Sequence, residues 1–227
     1  MISMLPPGAY IWPDMIQQSE QWFKARMGRA TASQFKRIVT SSRGDLSSGR
    51  HEYIDELLGQ RFAPYEAPKF TGSFWTDRGS ELEAEAREMF ARDIGVDVGQ
   101  VGFVTADRWG HVIGCSPDGL LLSHDGERYV CGLEIKALAA KHHVGIWREG
   151  KIPDEHKQQV HGAMAVTCLD HWWFMSYHPA MRPFYQKIER DNYTEMLSGR
   201  LDQFVEEYGA LSEILAPQLK MIERDVA

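Results

Sequence analysis

The sequence contains few cysteines and no long apolar run. Three of its 227 residues are cysteine, an odd number without the spacing of a metal site. This scarcity is typical of a protein that folds in a reducing cytosol without a disulfide framework. No apolar stretch approaches the roughly 20 residues of a membrane-spanning helix, and residues 1–13 have no basic segment ahead of an apolar one. We therefore expect a cytoplasmic protein with neither a membrane anchor nor a secretory signal.

Several signatures of cofactor sites are also missing. No glycine-rich loop followed by Lys-Ser or Lys-Thr occurs, which argues against the common ATP-binding loop. His51-Glu52 is not followed by the second histidine that a zinc-protease helix requires. His156 and His161 are five residues apart, a spacing that separates them on a helix surface. These motifs therefore predict neither an ATP site nor a zinc-protease site.

Acidic residues are absent from one stretch of an otherwise acidic chain. The formal net charge is −7, but residues 21–44 contain six lysines or arginines and no aspartate or glutamate, so the remaining residues have a net charge of −13. The six basic residues are Lys24, Arg26, Arg29, Lys36, Arg37 and Arg43. Basic charge concentrated in this way predicts a surface that binds polyanions. An ordinary solvated helix face is the alternative interpretation of the same run.

Two short segments place carboxylates and an amine at a suggestive spacing. Asp118 lies in Ser116-Pro117-Asp118-Gly119, and fifteen residues separate it from Glu134 in Glu134-Ile135-Lys136. If the intervening hairpin is centred on Gly126, Asp118 and Glu134 are cross-strand neighbours with Cβ atoms about 5 Å apart. Alternation along the strand puts Glu134 and Lys136 on one face.

Two carboxylates this close attract a hard divalent cation with oxygen ligands. Taken singly, Asp118 could be a turn residue in Pro-Asp-Gly. Glu134 and Lys136 could likewise lie on the solvated face of a hairpin. The convergence of all three at one place favours a metal-dependent site that hydrolyses a phosphodiester.

A predicted helix start lies inside the basic stretch. Thr31-Ala32-Ser33 precedes apolar residues at helical spacing, which makes Thr31 a candidate N-cap. Free backbone N–H groups at such a start bind anions, and Arg26 lies on the preceding predicted helix. Without further information, Ser33 is an ordinary first-turn serine.

Periodicity and length predict a single α/β domain over residues 1–227, with a central mixed β-sheet flanked by helices. A helical part is expected at about 19–62, a catalytic core at about 77–190 and a C-terminal helix at about 192–215. The predicted helices are 19–28, 31–39, 51–62, 77–94, 154–167 and 192–215. The predicted strands are 98–105, 110–115, 119–122, 129–136, 171–178 and 184–189.

The motifs occur in the order of a known nuclease family. The segments Cys115-Ser116-Pro117-Asp118-Gly119, Leu133-Glu134-Ile135-Lys136 and Gln159-Val160 resemble the PD-(D/E)xK nucleases. Together with the segment from Arg26 to Ser33, they resemble the lambda-exonuclease and YqaJ-type viral recombinase family. Matching motifs extend from about Trp22 to Arg190.

This resemblance implies a restriction-endonuclease-like core with Mg²⁺ as cofactor and Mn²⁺ able to substitute. It implies 5′→3′ digestion of linear double-stranded DNA, which releases 5′-mononucleotides and leaves 3′ single strands for phage recombination. The implied partners are DNA ends, preferably 5′-phosphorylated, two further copies in a homotrimer, and a single-strand annealing protein. The implied location is the cytoplasm of a bacterial host, with the gene on a phage or prophage.

The resemblance also implies roles for the metal-site residues. Asp118 bridges the metals, Glu134 and the backbone carbonyl of Ile135 hold the first, and Asp107 helps to hold a second. Asp107 lies one residue further from Asp118 than the family aspartate does. Lys136 orients the attacking water and stabilises developing charge. Gln159 is implied near the metal-bound water, and Glu83 supports the metal shell through water.

The implied DNA contacts lie in three segments. They comprise a terminal-phosphate pocket of Arg26, Thr31, Ser33 and Ser116, and further contacts at Arg43 and His142. The family has an arginine where this chain has His142, so Lys141 or His143 is an alternative contact. Two other functions fit the same residues: a structure-specific or restriction-type endonuclease, and a catalytically silent DNA-binding subunit.

Overall fold

The computed structural model describes residues 4–41, 43–64 and 74–219, and for 74–80 the backbone alone. The helices are α1 (Glu20–Arg26), α2 (Arg50–Phe62), α3 (Phe74–Ile94), α4 (Ala140–Glu149), α5 (Lys157–Thr167) and α6 (Asn192–Leu219). The strands are β1 (Ala9–Ile11), β2 (Ala30–Thr31), β3 (Val98–Gly99), β4 (Val104–Ala106), β5 (Ile113–Cys115), β6 (Gly119–Leu122), β7 (Tyr129–Ala137), β8 (His171–Tyr177) and β9 (Phe184–Glu189). Short 3-10 helices span Ala32–Arg37, Asp107–Trp109 and Asp154–His156.

Five strands form the larger sheet, in the order β3-β6-β7-β8-β9. β7 and β8 are parallel and the other pairs are antiparallel. Alternation along β7 gives its two faces different environments. Leu133 and Ile135 pack in one buried cluster with Ala86 and Phe90 of α3. Glu134 is therefore directed to the opposite face of the sheet, which is also buried.

Four shorter strands form a second mixed sheet, in the order β1-β4-β5-β2, with β2 parallel to β5. α5 contacts strands of both sheets and also packs against α6 and the 3-10 helix Ala32–Arg37. Residues 160–167 of α5 are all buried. Close packing extends to Gly162, where an added Cβ would lie 2.3 Å from the Phe35 ring. The predicted α/β class, with a mixed sheet flanked by helices, is confirmed.

Several elements differ from the sequence prediction. The predicted strand 98–105 is two strands, β3 and β4, which belong to different sheets. Within the predicted helix 31–39, Ala32–Arg37 form a six-residue 3-10 helix rather than an α-helix. The buried residues Ala32, Phe35 and Ile38 recur at every third position, which is the period of a 3-10 helix. α4 was not predicted because Val144 and Trp147 remain exposed and obscure its apolar face. The second sheet was not separated from the first because β1, β2, β4 and β5 each have only two or three residues. Among the described residues, no helix combines the length and apolar content needed to cross a membrane.

Candidate active site

The hairpin of β6 and β7 brings the first two carboxylates together. Gly119 pairs with Leu133, so the preceding Asp118 lies opposite Glu134, as the sequence spacing predicts. The register shifts only nearer the turn, between Leu121 and Leu122. The backbone N–H of Ile135 donates to Asp118 Oδ2 at 2.6 Å. This bond fixes one Asp118 oxygen against the strand that contains Glu134.

Glu134 is a buried carboxylate, 2% exposed. Its Oε1 accepts hydrogen bonds from Lys136 Nζ at 2.5 Å and from Gln159 Nε2 at 2.5 Å. Lys136 lies two residues along the same strand, and Gln159 is on the buried helix α5. Glu134 is therefore oriented by one cation and one amide, both of which were candidate site residues.

Helix α3 contributes a third carboxylate, Glu83, which Arg87 of the same helix links to Asp118. Arg87 Nη2 donates to Glu83 Oε1 at 2.5 Å, and Arg87 Nε donates to the backbone carbonyl of Asp118 at 2.6 Å. The pair links α3 to the loop between β5 and β6. Glu83 is thereby held on the Asp118 side of the site.

Burial raises the pKa of all three carboxyl groups, and the charge of Asp118 raises those of Glu134 and Glu83 further. Burial, followed by the charge of Asp118, raises the pKa of Glu134 to about 8 and that of Glu83 to about 7. Burial also raises the pKa of Asp118, against the lowering effects of Lys136, the Ile135 N–H and Arg87. A cluster whose ionised form is so unfavourable is stabilised by a divalent cation.

The donor set fits Mg²⁺ or Mn²⁺, which prefer carboxylate, carbonyl and water oxygens. Across the side chains of residues 4–41, 43–64 and 81–219, no three His, Cys, Asp or Glu groups already converge at metal-binding geometry. A bound ion would therefore take ligands from Asp118, Glu134, the Ile135 carbonyl and water.

Lys136 keeps its proton. Burial lowers the pKa of its amine, but the carboxylates of Glu134 and Asp118 outweigh burial and hold the pKa above its ordinary value. The side chain is 24% exposed, so the ammonium also reaches the surface of the site. A positive group at this position can stabilise charge that develops on a phosphate.

Asp107 does not join the cluster. The pairing of Val104 with Cys115 puts Asp118 beyond one end of the β4–β5 hairpin, and Asp107 lies beyond the other end. Its carboxylate is 63% exposed and lies 3.7 Å from His111 Nε2. Asp107 therefore lies at the hairpin turn, and one more residue separates it from Asp118 than separates the corresponding aspartates in the family.

Arg26 forms the centre of a second group of polar side chains. Its Nη1 donates to Ser116 Oγ at 2.9 Å and its Nη2 to Thr31 Oγ1 at 3.3 Å. The guanidinium lies over the Trp22 ring, 4.2 Å from the centroid, and Trp22 Nε1 also donates to Ser116 Oγ at 2.9 Å. Because Ser116 Oγ accepts both bonds, its hydroxyl hydrogen remains able to donate to a bound anion.

A small cavity joins this group to the carboxylates. Arg26, Thr31, Ser33 and Ser116 line it together with Glu134, Gln159 and four other residues. Its volume of about 30 Å³ holds roughly two water molecules. The structure thus brings four candidate phosphate-binding residues to the same cavity as two candidate catalytic residues.

The N-terminus of the 3-10 helix contributes little to this cavity. Thr31 precedes the helix with extended backbone but makes no capping bond to it; its hydroxyl instead accepts from Arg26 and lies 3.5 Å from Ser33 Oγ. Six residues in a 3-10 helix also sum to a small dipole. The polar groups that this cavity offers to an anion are therefore side chains, not the predicted helix end.

The remaining candidate DNA contacts lie outside the cavity. Arg43 is exposed on a turn whose next residue, Gly44, accepts from Arg200 Nε of α6 at 3.0 Å. His142 and Lys141 are exposed on α4. His143 is fully buried, with its ring nitrogens bonded to Ser176 Oγ and the Arg182 carbonyl. His143 is therefore no alternative DNA contact.

Sequence reasoning missed His156, which lies beside the site. Its ring stacks on Phe174, the residue paired with Glu134 in the neighbouring strand. Burial, followed by the charge of Lys136, lowers the pKa of His156 to about 4, so the ring is neutral. The available signal was its spacing of three residues before Gln159, which puts both on one helix face.

Comparisons with known proteins agree with this geometry. Residues 21–170, more than half of the chain, match the family model of the YqaJ-like viral recombinase domain. An alkaline exonuclease (LHK-Exo) from Laribacter hongkongensis has a similar structure, with a TM-score of 0.67 and 27% identity over 88% of this chain and 100% of that one. The same values hold for LHK-Exo in complex with dAMP.

A phage-related exonuclease from Haemophilus somnus 129PT shares the fold, with a TM-score of 0.58 and 16% identity over 82% of this chain and 96% of that one. A search of curated proteins finds no match. The order of the motifs, the buried carboxylate cluster and the match over residues 21–170 lead to one conclusion. The chain belongs to the YqaJ-like viral recombinase family.

Proposed function

We propose that this protein is a Mg²⁺-dependent 5′→3′ exonuclease that acts on the ends of linear double-stranded DNA and releases 5′-mononucleotides. The observation that supports it best is the single cavity lined by both Glu134 and Arg26. Glu134 belongs to the carboxylate cluster that fits a metal ion. Arg26 and Ser116 offer charge-assisted and neutral hydrogen bonds to a phosphate.

Asp118, Glu134 and the Ile135 carbonyl would hold the metal. When bound, Mg²⁺ supplies a Lewis acid and lowers the pKa of a coordinated water. Lys136, which stays protonated, orients that water and stabilises the negative charge on the phosphate. Gln159 keeps Glu134 in place through its amide N–H. Hydrolysis breaks the bond between phosphorus and the 3′ oxygen, and the remaining strand retains a 5′-phosphate.

Arg26 supports the choice of a DNA end as substrate. Burial lowers the pKa of its guanidinium, yet an arginine remains charged in proteins. A terminal phosphate dianion has more charge and one more acceptor oxygen than an internal diester, so it gains more from Arg26, Thr31, Ser33 and Ser116. The other DNA contacts in this proposal are Arg43 and His142, both exposed.

The proposed partners follow from the family. We propose a homotrimer around DNA and a single-strand annealing protein that receives the 3′ strands during phage recombination. A bacterial cytoplasm as the place of action belongs to the same proposal. Sedimentation analysis measures the oligomeric state directly, and a monomer at working concentration contradicts the trimer.

The decisive experiment compares linear and closed circular duplexes with Mg²⁺. The linear DNA is prepared with 5′-phosphate or 5′-hydroxyl ends. We expect digestion of linear DNA alone, with the phosphorylated ends cut roughly 10- to 100-fold faster, the factor expected for one or two charge-assisted hydrogen bonds. Arg26→Ala should remove most of that preference, whereas the exposed Arg148→Ala on α4 serves as the matched control.

Each alternative function has its own outcome. Cutting of the circle as well as the linear duplex favours a structure-specific or restriction-type endonuclease. Binding of DNA without any cleavage favours a catalytically silent subunit. Equal rates on the two kinds of end in the unmodified protein contradict a terminal-phosphate pocket at Arg26.

A further inference from the structure

A groove much larger than the catalytic cavity lies on the other side of Arg26. It is formed by α1, α2 and the 3-10 helix between them, and its volume is about 950 Å³. Pockets of about 300–1,000 Å³ hold ligands of drug or nucleotide size. None of the three clustered carboxylates, Glu83, Asp118 and Glu134, lines this groove. The proposed release of a mononucleotide therefore leaves it without a role.

The lining of the groove combines aromatic rings with positive charge. Trp22 and Phe23 contribute partly exposed rings, and four basic residues contribute cations. Lys24 pairs with Glu20 and Arg37 with Glu56, whereas Arg26 and Arg29 have no carboxylate among the residues that line the groove. Basic side chains among exposed aromatic faces are typical of sites for single-stranded nucleic acid, where bases stack and phosphates pair with cations.

The groove and the catalytic cavity share a wall. Arg26 and Thr31 line both of them. In the proposed function the scissile phosphate lies on the Glu134 side and the next phosphate in the 5′ direction lies at Arg26. A strand that continues in the 5′ direction past Arg26 would therefore enter the groove.

We propose that this groove binds a single-stranded 5′ extension of DNA, so that the enzyme also cuts inside extended ends and releases a short oligonucleotide as its first product. This inference rests on the proposed function, because the 5′ direction is assigned by the phosphate at Arg26. The reaction is the same hydrolysis: water adds to phosphorus, the bond to the 3′ oxygen breaks, and the oligonucleotide leaves with a 3′-hydroxyl.

The test uses two labelled duplexes, one blunt with a 5′-phosphate and one with a short 5′ extension of thymidines. Affinity is measured by anisotropy with Ca²⁺ in place of Mg²⁺, and the length of the first 5′-labelled product is measured with Mg²⁺. We expect the extended duplex to bind about tenfold more tightly, the factor expected for one stacked base. We also expect its first product to be longer than a mononucleotide.

Two variants address the groove and one addresses charge alone. Phe23→Ala removes a stacking surface, and Lys24→Gln removes an exposed cation of the groove. Lys187→Gln, exposed on β9, makes the same charge change outside the groove. The ratio of the two affinities should fall toward one in the first two variants and stay unchanged in the third. Thermal melting checks the fold of Phe23→Ala, and Lys24→Gln tests the groove independently of it.

The results separate this inference from the proposed function. A mononucleotide as the first product from both duplexes, or equal affinities for them, overturns the groove assignment while the exonuclease proposal stands. No digestion of the blunt phosphorylated duplex overturns the exonuclease proposal itself. Equal changes in Lys24→Gln and Lys187→Gln mean that general charge, not the groove, determines binding, and that also overturns the assignment.

Discussion

Replacement of Glu134 by glutamine is predicted to abolish metal-dependent activity and yet stabilise the metal-free protein at alkaline pH. Glutamine keeps the size of the side chain, and its amide oxygen can accept from Lys136 and Gln159 as Glu134 Oε1 does. What it removes is a buried negative charge beside Asp118. Loss of that charge also removes a metal ligand.

The magnitude follows from the pKa of Glu134. In the folded protein it is about 8, compared with an ordinary value of 4.5. Between these two pH values the unfolded chain has released the proton and the folded protein still holds it, so the free energy of unfolding decreases as pH rises. At about 1.4 kcal/mol per pH unit the loss is on the order of 5 kcal/mol, complete above pH 8.

Thermal melting in EDTA from about pH 5 to about pH 9 measures this difference, because that range spans the titration of the Glu134 carboxyl in both states. The melting temperatures of Glu134→Gln and the unmodified protein should be close at the acid end and diverge in favour of the variant as pH rises. Glu213→Gln, exposed on α6, is the matched control and should not diverge. Mg²⁺ should stabilise only the unmodified protein, because a ligand stabilises the state that binds it. Parallel melting curves for Glu134→Gln and the unmodified protein refute the reasoning.

Two further predictions concern Lys136 and the packing of β7. Lys136→Ala should lower kcat by about 10²- to 10⁴-fold while calorimetry still detects the metal. Lys136→Arg should restore little activity, because a planar guanidinium cannot replace the ammonium. Full activity in either variant contradicts the assigned role. Gly132→Ala should lower the free energy of unfolding by about 1–3 kcal/mol, because its Cβ would lie 2.2 Å from the buried Trp172 ring. A lower melting temperature would report this loss. Gly145→Ala on α4, with nothing within 4 Å, should be neutral or stabilising, and an equal loss in both variants argues against the packing explanation.

Much of the hairpin that brings Asp118 and Glu134 together could be predicted from local sequence. The period of two along a strand and the turn at Gly126 suffice to place Asp118 opposite Glu134. The position of Glu83 was harder, because its role depends on Arg87, whose bond to the Asp118 carbonyl joins residues 31 positions apart. The terminal-phosphate residues were predicted from family resemblance, and their connection to Glu134 became visible only in three dimensions.

Other features depended on packing that the sequence does not display. The 3-10 form of residues 32–37 arises from contact with α5, where Phe35 lies against Gly162. The burial of His143 depends on Ser176 and the Arg182 carbonyl, which are more than thirty residues away. Asp107 matched the family in residue type, but it lies at the turn of the β4–β5 hairpin with its carboxylate exposed.

On the proposed function, the loop between β5 and β6 determines the length of the released product, because it sets the distance between Ser116 and Asp118. Ser116 contacts Arg26 in the proposed end pocket, and Asp118, two residues later, belongs to the carboxylate cluster. Two residues span at most about 7 Å, and Pro117 between them has a restricted φ. Its carbonyl also accepts from Gln17 Nε2 at 2.8 Å, which ties the loop to the N-terminal segment.

The distance between the proposed end pocket and the carboxylate cluster is therefore fixed by one short, anchored loop. It does not depend on how two separate helices or strands are placed. On the proposed function, the phosphate at Ser116 and the phosphate at Asp118 then belong to neighbouring nucleotides. On the same proposal, the basic stretch supplies the cations with which an acidic protein binds DNA, and Arg26 is the one that meets Ser116. At that point the proposed function has Arg26 neutralise the phosphate next to the scissile bond.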